Sequence, residues 1–231
     1  MRRTRLIRLM LLLLASGTAV SVHATDWLQF GFDQAQSSFN RAEKGYPTAT
    51  GNVLAPGFNA GVALSASADS TPIFASGIAT ASGTKDMVFV TTKNGTLLAL
   101  DATTGAQLWS KRPNTQLPPP SSGLASLSTG APVVDAAKQF IYGYGNDGQV
   151  HKYQIGDGTE VTGGGWPELS TYKPDVEKNA AALSIAVTPG GTYLYSVTDG
   201  YIGDGGDYRD TSRRSIWLPA RKTSSIPSAA R

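Results

Sequence analysis

Short apolar runs separated by Gly-containing turns dominate the chain. The clearest example runs along Met87–Thr91, turns at Asn94-Gly95 and returns along Thr96–Leu100. Asn-Gly between two such runs predicts a β-hairpin, because both residues tolerate the positive φ angles of a type I′ turn. A second turn is predicted at Asp101–Gly105, and Gln107-Leu108-Trp109 is predicted to form the outer strand of the unit. No segment shows a convincing amphipathic helical period.

The same unit returns after a constant interval. Asp147-Gly148 follows Asn94-Gly95 by 53 residues, and Asp157-Gly158 follows Thr104-Gly105 by 53 residues as well. A constant period in this range is typical of stacked or radial repeats, and a hairpin inside each unit favours a β-propeller. The sequence therefore predicts an all-β fold, a partial β-propeller of about three four-stranded blades.

Two further units extend this prediction. Strands of the second unit are predicted at Ile141–Tyr144, Val150–Ile155 and Glu160-Val161. Strands of the third are predicted at Leu183–Thr188 and Thr192–Val197, before a turn at Thr198-Asp199-Gly200. We therefore assign residues 70–208 to blades, and residues 25–69 to an N-terminal strand and an irregular lead-in.

The first 24 residues have the pattern of a secretory signal peptide. Four arginines flank the start of the apolar core Leu6–Ala15, and Val22-His23-Ala24 supplies a small-x-small cleavage site. The apolar core is too short to span a bilayer. We therefore expect export, a periplasmic or secreted protein, and no membrane span after the signal is removed.

Composition changes abruptly after Tyr208. Residues 209–231 contain six basic residues, and Ser and Pro replace the Gly-Asp turns. Such a segment predicts a basic, disordered tail. A second interpretation is a frameshift, because codons permitted for this segment can be read in another frame as a strand followed by D-x-x-T-G, the turn at Asp101–Gly105. The sequence leaves both interpretations open.

The two ends account for the basic balance of the chain. The 231 residues carry a net charge of +3, but residues 25–208 hold 10 basic and 16 acidic residues, a net charge of −6. We therefore expect no surface for nucleic acid or anionic membrane in the core. Cys is absent from the sequence, which excludes disulfides and thiolate metal sites.

Three features resemble the quinoprotein-like propellers, the PQQ-repeat family. They are Asp26-Trp27-x-Gln29-Phe30-Gly31, the strand start Ser70-Thr71-Pro72, and G-x-x-x-A-L-D-A-x-T-G-x-x-x-W over Gly95–Trp109. The resemblance covers most of residues 26–208. It implies blades of a ring that closes with about seven or eight, so that an intact relative would be roughly twice as long.

The resemblance implies two classes of function. Some members are non-catalytic, which implies a binding or scaffold module with a protein or cell-envelope partner. Others are alcohol or sugar dehydrogenases that depend on pyrroloquinoline quinone (PQQ) and bind PQQ and Ca²⁺ with Asp, Asn and Glu side chains. Those ligands have no identifiable counterparts in this sequence. A non-catalytic module is therefore the preferred hypothesis, and a dehydrogenase fragment with PQQ and Ca²⁺ is the alternative.

The best metal candidate is the Gly-Asp cluster of Asp199, Asp204 and Asp207. Ca²⁺ prefers several oxygen ligands on a flexible loop, which this segment could supply. The spacing does not match an EF-hand, and Gly-Asp clusters are also ordinary hairpin turns, so a turn is the preferred interpretation.

Two other groups of side chains have a chemical and a structural interpretation. His151 lies within a predicted strand, where a solvent-facing position is expected in preference to a general base or metal ligand. The aromatic residues could stack a sugar or a peptide, but packing between blades is the preferred role. They are Trp27, Trp109, Trp166, Tyr142, Tyr144 and Tyr153.

Overall fold

The computed structural model describes residues 25–42, 61–113, 130–200 and 212–218. Within these ranges the chain is all-β, with twelve strands in three antiparallel sheets and no α-helix. The predicted fold class, a partial β-propeller, is confirmed. The predicted signal peptide lies outside the described residues.

The first sheet follows the predicted hairpin pattern. Its strands occur in the order β1 (Ile73–Thr80), β2 (Gly83–Thr91), β3 (Leu97–Asp101) and β4 (Gln107–Lys111). Gly95 closes the β2–β3 turn with a φ angle of 79°, and Val90 pairs with Leu98 across it. Local turn chemistry therefore sets the register of this sheet.

The second sheet has an interrupted outer strand. Its order is β5 (Val133–Val134), β6 (Phe140–Tyr144), β7 (Gln149–Gln154) and β8 (Glu168–Leu169). The strand predicted at Glu160-Val161 is reduced to a single bridge between Glu160 and Tyr153. The chain then leaves the sheet because Gly163, Gly164 and Gly165 all adopt positive φ angles, which extended strands do not.

The third sheet corrects two predictions. Its strands are β9 (Glu177–Lys178), β10 (Ser184–Thr188), β11 (Gly191–Gly200) and β12 (Ser212–Leu218), with β11 central. The turn predicted at Thr198-Asp199-Gly200 is wrong. β11 continues through these residues because Asp199 and Gly200 pair with Lys178 and Glu177 of β9.

The prediction of a disordered tail is wrong for Ser212–Leu218, which pairs with β11 along its whole length. Composition indicated disorder because basic residues dominate the segment. Ile216 and Leu218 nevertheless lie two positions apart on β12, so they share one face of the strand. Ile216 is buried on the side that faces the second sheet. The frameshift interpretation remains a prediction.

Apolar side chains pack the three sheets face to face. One cluster joins the first two sheets, and a second cluster, which includes Val133, Tyr142 and Leu194, joins the second and third. Trp109 lies in the first cluster, and its indole Nε1–H donates to the carbonyl of Ile155 at 3.0 Å. Its ring lies so close to Gly158 that a Cβ there would come within 2.8 Å.

An N-terminal strap, Asp26–Gln29, contacts one strand of each sheet: β1, β5 and β10. Trp27 exchanges two backbone hydrogen bonds with Phe74 of β1. The carbonyl of Leu28 accepts from the N–H of Val134 in β5, and Gln29 Oε1 accepts from the N–H of Ile185 in β10 at 3.1 Å. The strap therefore covers part of the edge strand of every sheet.

The strap gives the first testable prediction. Gln29→Met keeps the length of the buried side chain but removes the acceptor for the N–H of Ile185. We expect the free energy of unfolding to fall by about 1–3 kcal/mol, because a buried donor is left unsatisfied. Urea denaturation followed by tryptophan fluorescence measures the change.

The matched control is Gln34→Met. Gln34 Oε1 accepts from the N–H of Val187 at an exposed site, where water replaces the lost bond. Its cost should stay below about 0.5 kcal/mol. Equal effects of the two substitutions would contradict a structural role for the strap.

A second prediction concerns Trp109→Phe, which removes the indole donor and part of the ring that contacts Gly158. We expect a loss of about 1–3 kcal/mol in the free energy of unfolding, from the unpaired carbonyl of Ile155 and from lost packing. An unchanged urea midpoint would show that this contact does not hold the first two sheets together.

Candidate functional site

A cavity of about 570 Å³ lies between the second and third sheets. The second sheet contributes aromatic and polar side chains to its lining, and the third contributes aliphatic ones. The principal lining residues are Phe140, Tyr142, Lys152, Trp166, Val187 and Leu218. Its volume lies within the range of ligand-binding clefts, which are mostly apolar with a few polar groups.

The lysine of this cavity is surrounded by aromatic rings. Lys152 Nζ lies 3.9 Å from the ring centroid of Phe140, 5.5 Å from that of Trp166 and 5.9 Å from that of Tyr142. Each of these distances permits a cation–π interaction. Tyr142 and Trp166 also contact each other, with ring centroids 5.2 Å apart. The ammonium group is therefore held against the cavity wall by ring faces.

Strand geometry explains why these side chains converge. Phe140, Tyr142 and Lys152 lie on the face of the second sheet that meets the third, since Tyr142 pairs directly with Lys152. Trp166 comes from the excursion Thr162–Pro167, which interrupts the outer strand. Because this excursion lies beside β7, its residues form one rim of the cavity. Val187, 58% exposed, lies on the opposite rim.

His151 occupies a different position from the one predicted. The expected solvent-facing site is wrong: the side chain is buried and points toward the first sheet, the side opposite the cavity. Nε2 lies 3.0 Å from Asp147 Oδ2, and Nδ1 lies 2.7 Å from Glu160 Oε1. The alternation of residues identified the strand, but it could not show that this face is covered.

The three side chains form an electrostatic clasp, named here the His151 clasp (Asp147, His151 and Glu160). Burial alone would lower the pKa of His151, but the hydrogen bonds and charges of Asp147 and Glu160 outweigh it and raise that pKa above its ordinary value. Burial would raise the pKa of Asp147, yet the bond and charge of His151 leave that pKa below its usual range. A charged histidine donates from both ring nitrogens, which matches this geometry.

The clasp is not arranged as a metal site. The two carboxylates bind opposite nitrogens of one ring, so their oxygens cannot converge on a single ion. Among the described residues, no group of three His, Cys, Asp or Glu side chains could hold a metal.

The metal hypothesis for the Gly-Asp cluster stays a prediction. Asp199 lies in β11 and is exposed, whereas Asp204 and Asp207 lie outside the described residues. Of the aromatic candidates, Trp109, Tyr142, Tyr144 and Tyr153 are buried, as the packing interpretation expects. Trp27 and Trp166 are half-buried, and Trp166 is the one that reaches the cavity.

Comparison with known proteins gives one family. The sequence profile described as outer membrane protein assembly factor BamB matches residues 45–200. No protein with a curated description matches the chain. No helix that could cross a membrane occurs in the part of the chain that the structure describes.

Solved structures similar to this chain include three larger proteins. BamB from Moraxella catarrhalis is 21% identical with a TM-score of 0.31, over 50% of this chain and 34% of that one. A europium-containing methanol dehydrogenase is 20% identical with a TM-score of 0.34, over 56% and 26%. Quinohemoprotein alcohol dehydrogenase from Comamonas testosteroni is 16% identical with a TM-score of 0.40, over 74% and 35%. The chain spans about a third or less of each.

The His151 clasp predicts a specific pH dependence of stability. Because the pKa of His151 is raised on folding, its contribution to stability is complete below the unfolded pKa of about 6.5. That contribution is lost as pH rises through the folded pKa. Because the pKa of Asp147 is lowered on folding, its contribution to stability is complete above the unfolded pKa of about 3.9. That contribution is lost as pH falls through the folded pKa. The clasp should therefore stabilise the fold most between about pH 4 and 6.5.

His151→Gln tests this prediction. We expect a loss of about 1–3 kcal/mol at pH 6, and a smaller difference from the wild type at pH 9. Glu160→Gln is the graded control, for which a smaller loss is expected. Glu160 is more exposed than Asp147 and makes only one of the two bonds to His151. Parallel stability curves for the wild type and His151→Gln from pH 6 to 9 would refute the clasp.

Proposed function

The chain belongs to the PQQ-repeat β-propeller family described as outer membrane protein assembly factor BamB, and we propose that it is a non-catalytic binding or scaffold module for a protein partner. The match of that family over residues 45–200 is the observation that carries the proposal. The pattern of the first 24 residues supports a place in the periplasm or outside the cell.

The cavity between the second and third sheets supplies a surface for such a partner. It is lined mainly by apolar and aromatic residues, and Val187 and Leu218 extend that apolar character to the rim. Apolar surface next to a shaped cavity is typical of interaction sites. The His151 clasp fits a structural role beside it, because Glu160 is anchored two residues before the excursion that forms the rim.

The proposed function predicts contact at a defined position. A photo-crosslinking amino acid placed at Val187, on the exposed rim, should join the chain to one protein of the cell envelope. The same group at Thr103, in the exposed turn before β4, should not. The adduct is identified by mass spectrometry, and the two purified proteins are then mixed to measure binding directly.

The dehydrogenase alternative is tested in parallel. Saturable, stoichiometric binding of PQQ in the presence of Ca²⁺, together with dye-linked oxidation of an alcohol or a sugar, would overturn the proposal. Equal crosslinking from Val187 and Thr103, or a crosslinked protein that fails to bind in the purified mixture, would remove the cavity as the partner surface.

A further inference from the structure

The His151 clasp joins a buried side chain to the segment that forms one rim of the cavity. Glu160 Oε1 lies 2.7 Å from His151 Nδ1, and the excursion Thr162–Pro167 begins two residues after Glu160. Trp166, at the far end of this excursion, lines the cavity between the second and third sheets. A change at the imidazole can therefore reach the cavity rim through a short stretch of chain.

The backbone holds the same segment through short pairings. Glu160 forms one isolated bridge with Tyr153, and the N–H of Val161 donates to the carbonyl of Lys152 at 2.8 Å. Regular pairing with β7 resumes at β8, which has two residues. A segment held by so few backbone bonds has a low local stability, so a single side-chain anchor contributes much to its position.

The two carboxylates of the clasp differ in their freedom to move. The Asp147 side chain is 5% exposed, and its carboxylate also accepts from the backbone N–H and from the side-chain Nε2 of Gln149, both at 3.1 Å. The Glu160 side chain is 35% exposed and is longer by one methylene. Asp147 is therefore fixed in its turn, whereas Glu160 can rotate into water at little cost.

The protonation state of the imidazole sets how many carboxylates it can hold. A charged histidine donates from both ring nitrogens, whereas a neutral one has a single N–H. In the neutral state that N–H goes to Asp147, the carboxylate that cannot leave. The lone pair of Nδ1 then faces Glu160, and two acceptors without a proton between them repel each other. Glu160 thus loses its anchor.

The immediate surroundings of the ring leave this choice to the two carboxylates. Tyr153 stacks on His151 with ring centroids 6.1 Å apart, and burial together with the charges of Glu160 and Asp147 raises the pKa of Tyr153 above its ordinary value. The phenol therefore stays neutral while histidine titrates. On the other side, a Cβ at Gly145 would meet both Pro113 and His151 Nε2 within 2.8 Å, so the ring is packed by uncharged groups there.

The charged residues of the first-sheet segments that approach this turn are Lys93, Lys111 and Arg112. Lys93 is bound to Asp69 at 3.1 Å, and Lys111 extends over Gly158. Lysine and arginine side chains keep their charge over the range in which histidine titrates. A change in the clasp between pH 6 and 9 is therefore a change at the imidazole.

We infer that the His151 clasp is a pH-sensitive latch: loss of the imidazole proton to water releases Glu160 and loosens the excursion Thr162–Pro167, which opens the cavity between the second and third sheets. Because the pKa of His151 lies above its ordinary value of about 6.5, the latch is closed at mildly acidic pH. It opens as pH rises through that raised pKa. The inference does not depend on what occupies the cavity, so it goes beyond the proposed function.

A spin label on the excursion of the full chain tests the latch. The chain contains no Cys, so Thr162→Cys, at an exposed position, provides a single attachment point. The mobile component of its EPR spectrum should grow between pH 6 and 9. The ratio of mobile to immobile label should rise by up to about tenfold per pH unit, because one proton is released. The same label on Thr103→Cys, in the exposed turn before β4, should show no change.

The pH at which the label is released must match the titration of His151. The sequence contains two histidines, His23 and His151, so comparison with His151→Gln assigns the imidazole resonance in NMR spectra. In Glu160→Ala, which removes the anchor but keeps the histidine, the label at residue 162 should already be mobile at pH 6 and should respond little to pH.

Three outcomes would overturn the latch: unchanged mobility at residue 162 between pH 6 and 9, equal changes at residues 162 and 103, or a midpoint that differs from the titration of His151. The first two need no variant of the clasp, so they hold even if His151→Gln or Glu160→Ala fails to fold. If the label responds as expected but crosslinking at Val187 finds no partner, the latch stands and the proposed function fails.

Discussion

The N-terminal strap is the constraint on which the arrangement of the three sheets depends. Each sheet is built mainly from local hairpins, and local hairpins do not fix how one sheet lies against the next. Gln29 bonds to Ile185, which lies 156 residues further along the chain, and Leu28 bonds to Val134 of the intervening sheet. Closing so long a loop has an entropic cost. The two apolar cores between the sheets offset that cost by burying large side chains.

Departure from the repeat creates the candidate binding surface. In the first unit Trp109 fills the space between sheets and contacts Gly158. The position 53 residues later is Thr162, which is exposed and begins the excursion that interrupts the outer strand. Where the first sheet inserts an indole, the second carries three glycines, and Trp166 lies at the margin of a cavity instead. The His151 clasp secures the chain two residues before this excursion, because Glu160 binds the buried imidazole. Stability and the shape of the cavity rim are therefore linked through one histidine.

The described part of the chain combines a regular frame of strands and turns with a few local departures from it. Strands and turns repeat with a fixed period, whereas the aromatic rings around Lys152 occur once within the described residues. Side chains that break a repeat are informative about function because packing of the repeat does not require them.

The sequence by itself determined the hairpins, the interval between them and the all-β class, because turn chemistry and alternation act over a few residues. It also identified Trp109 as a packing residue. Burial of His151 could not be predicted from the alternation of residues along the strand. Alternation separates the two faces of a strand, but it does not show which face another sheet covers. The continuation of β11 and the formation of β12 depended on pairing with distant strands, which outweighed a basic composition. The strap, the His151 clasp and the aromatic-lysine cavity were decided by tertiary structure alone, since each joins groups that only the packing of separate sheets brings together.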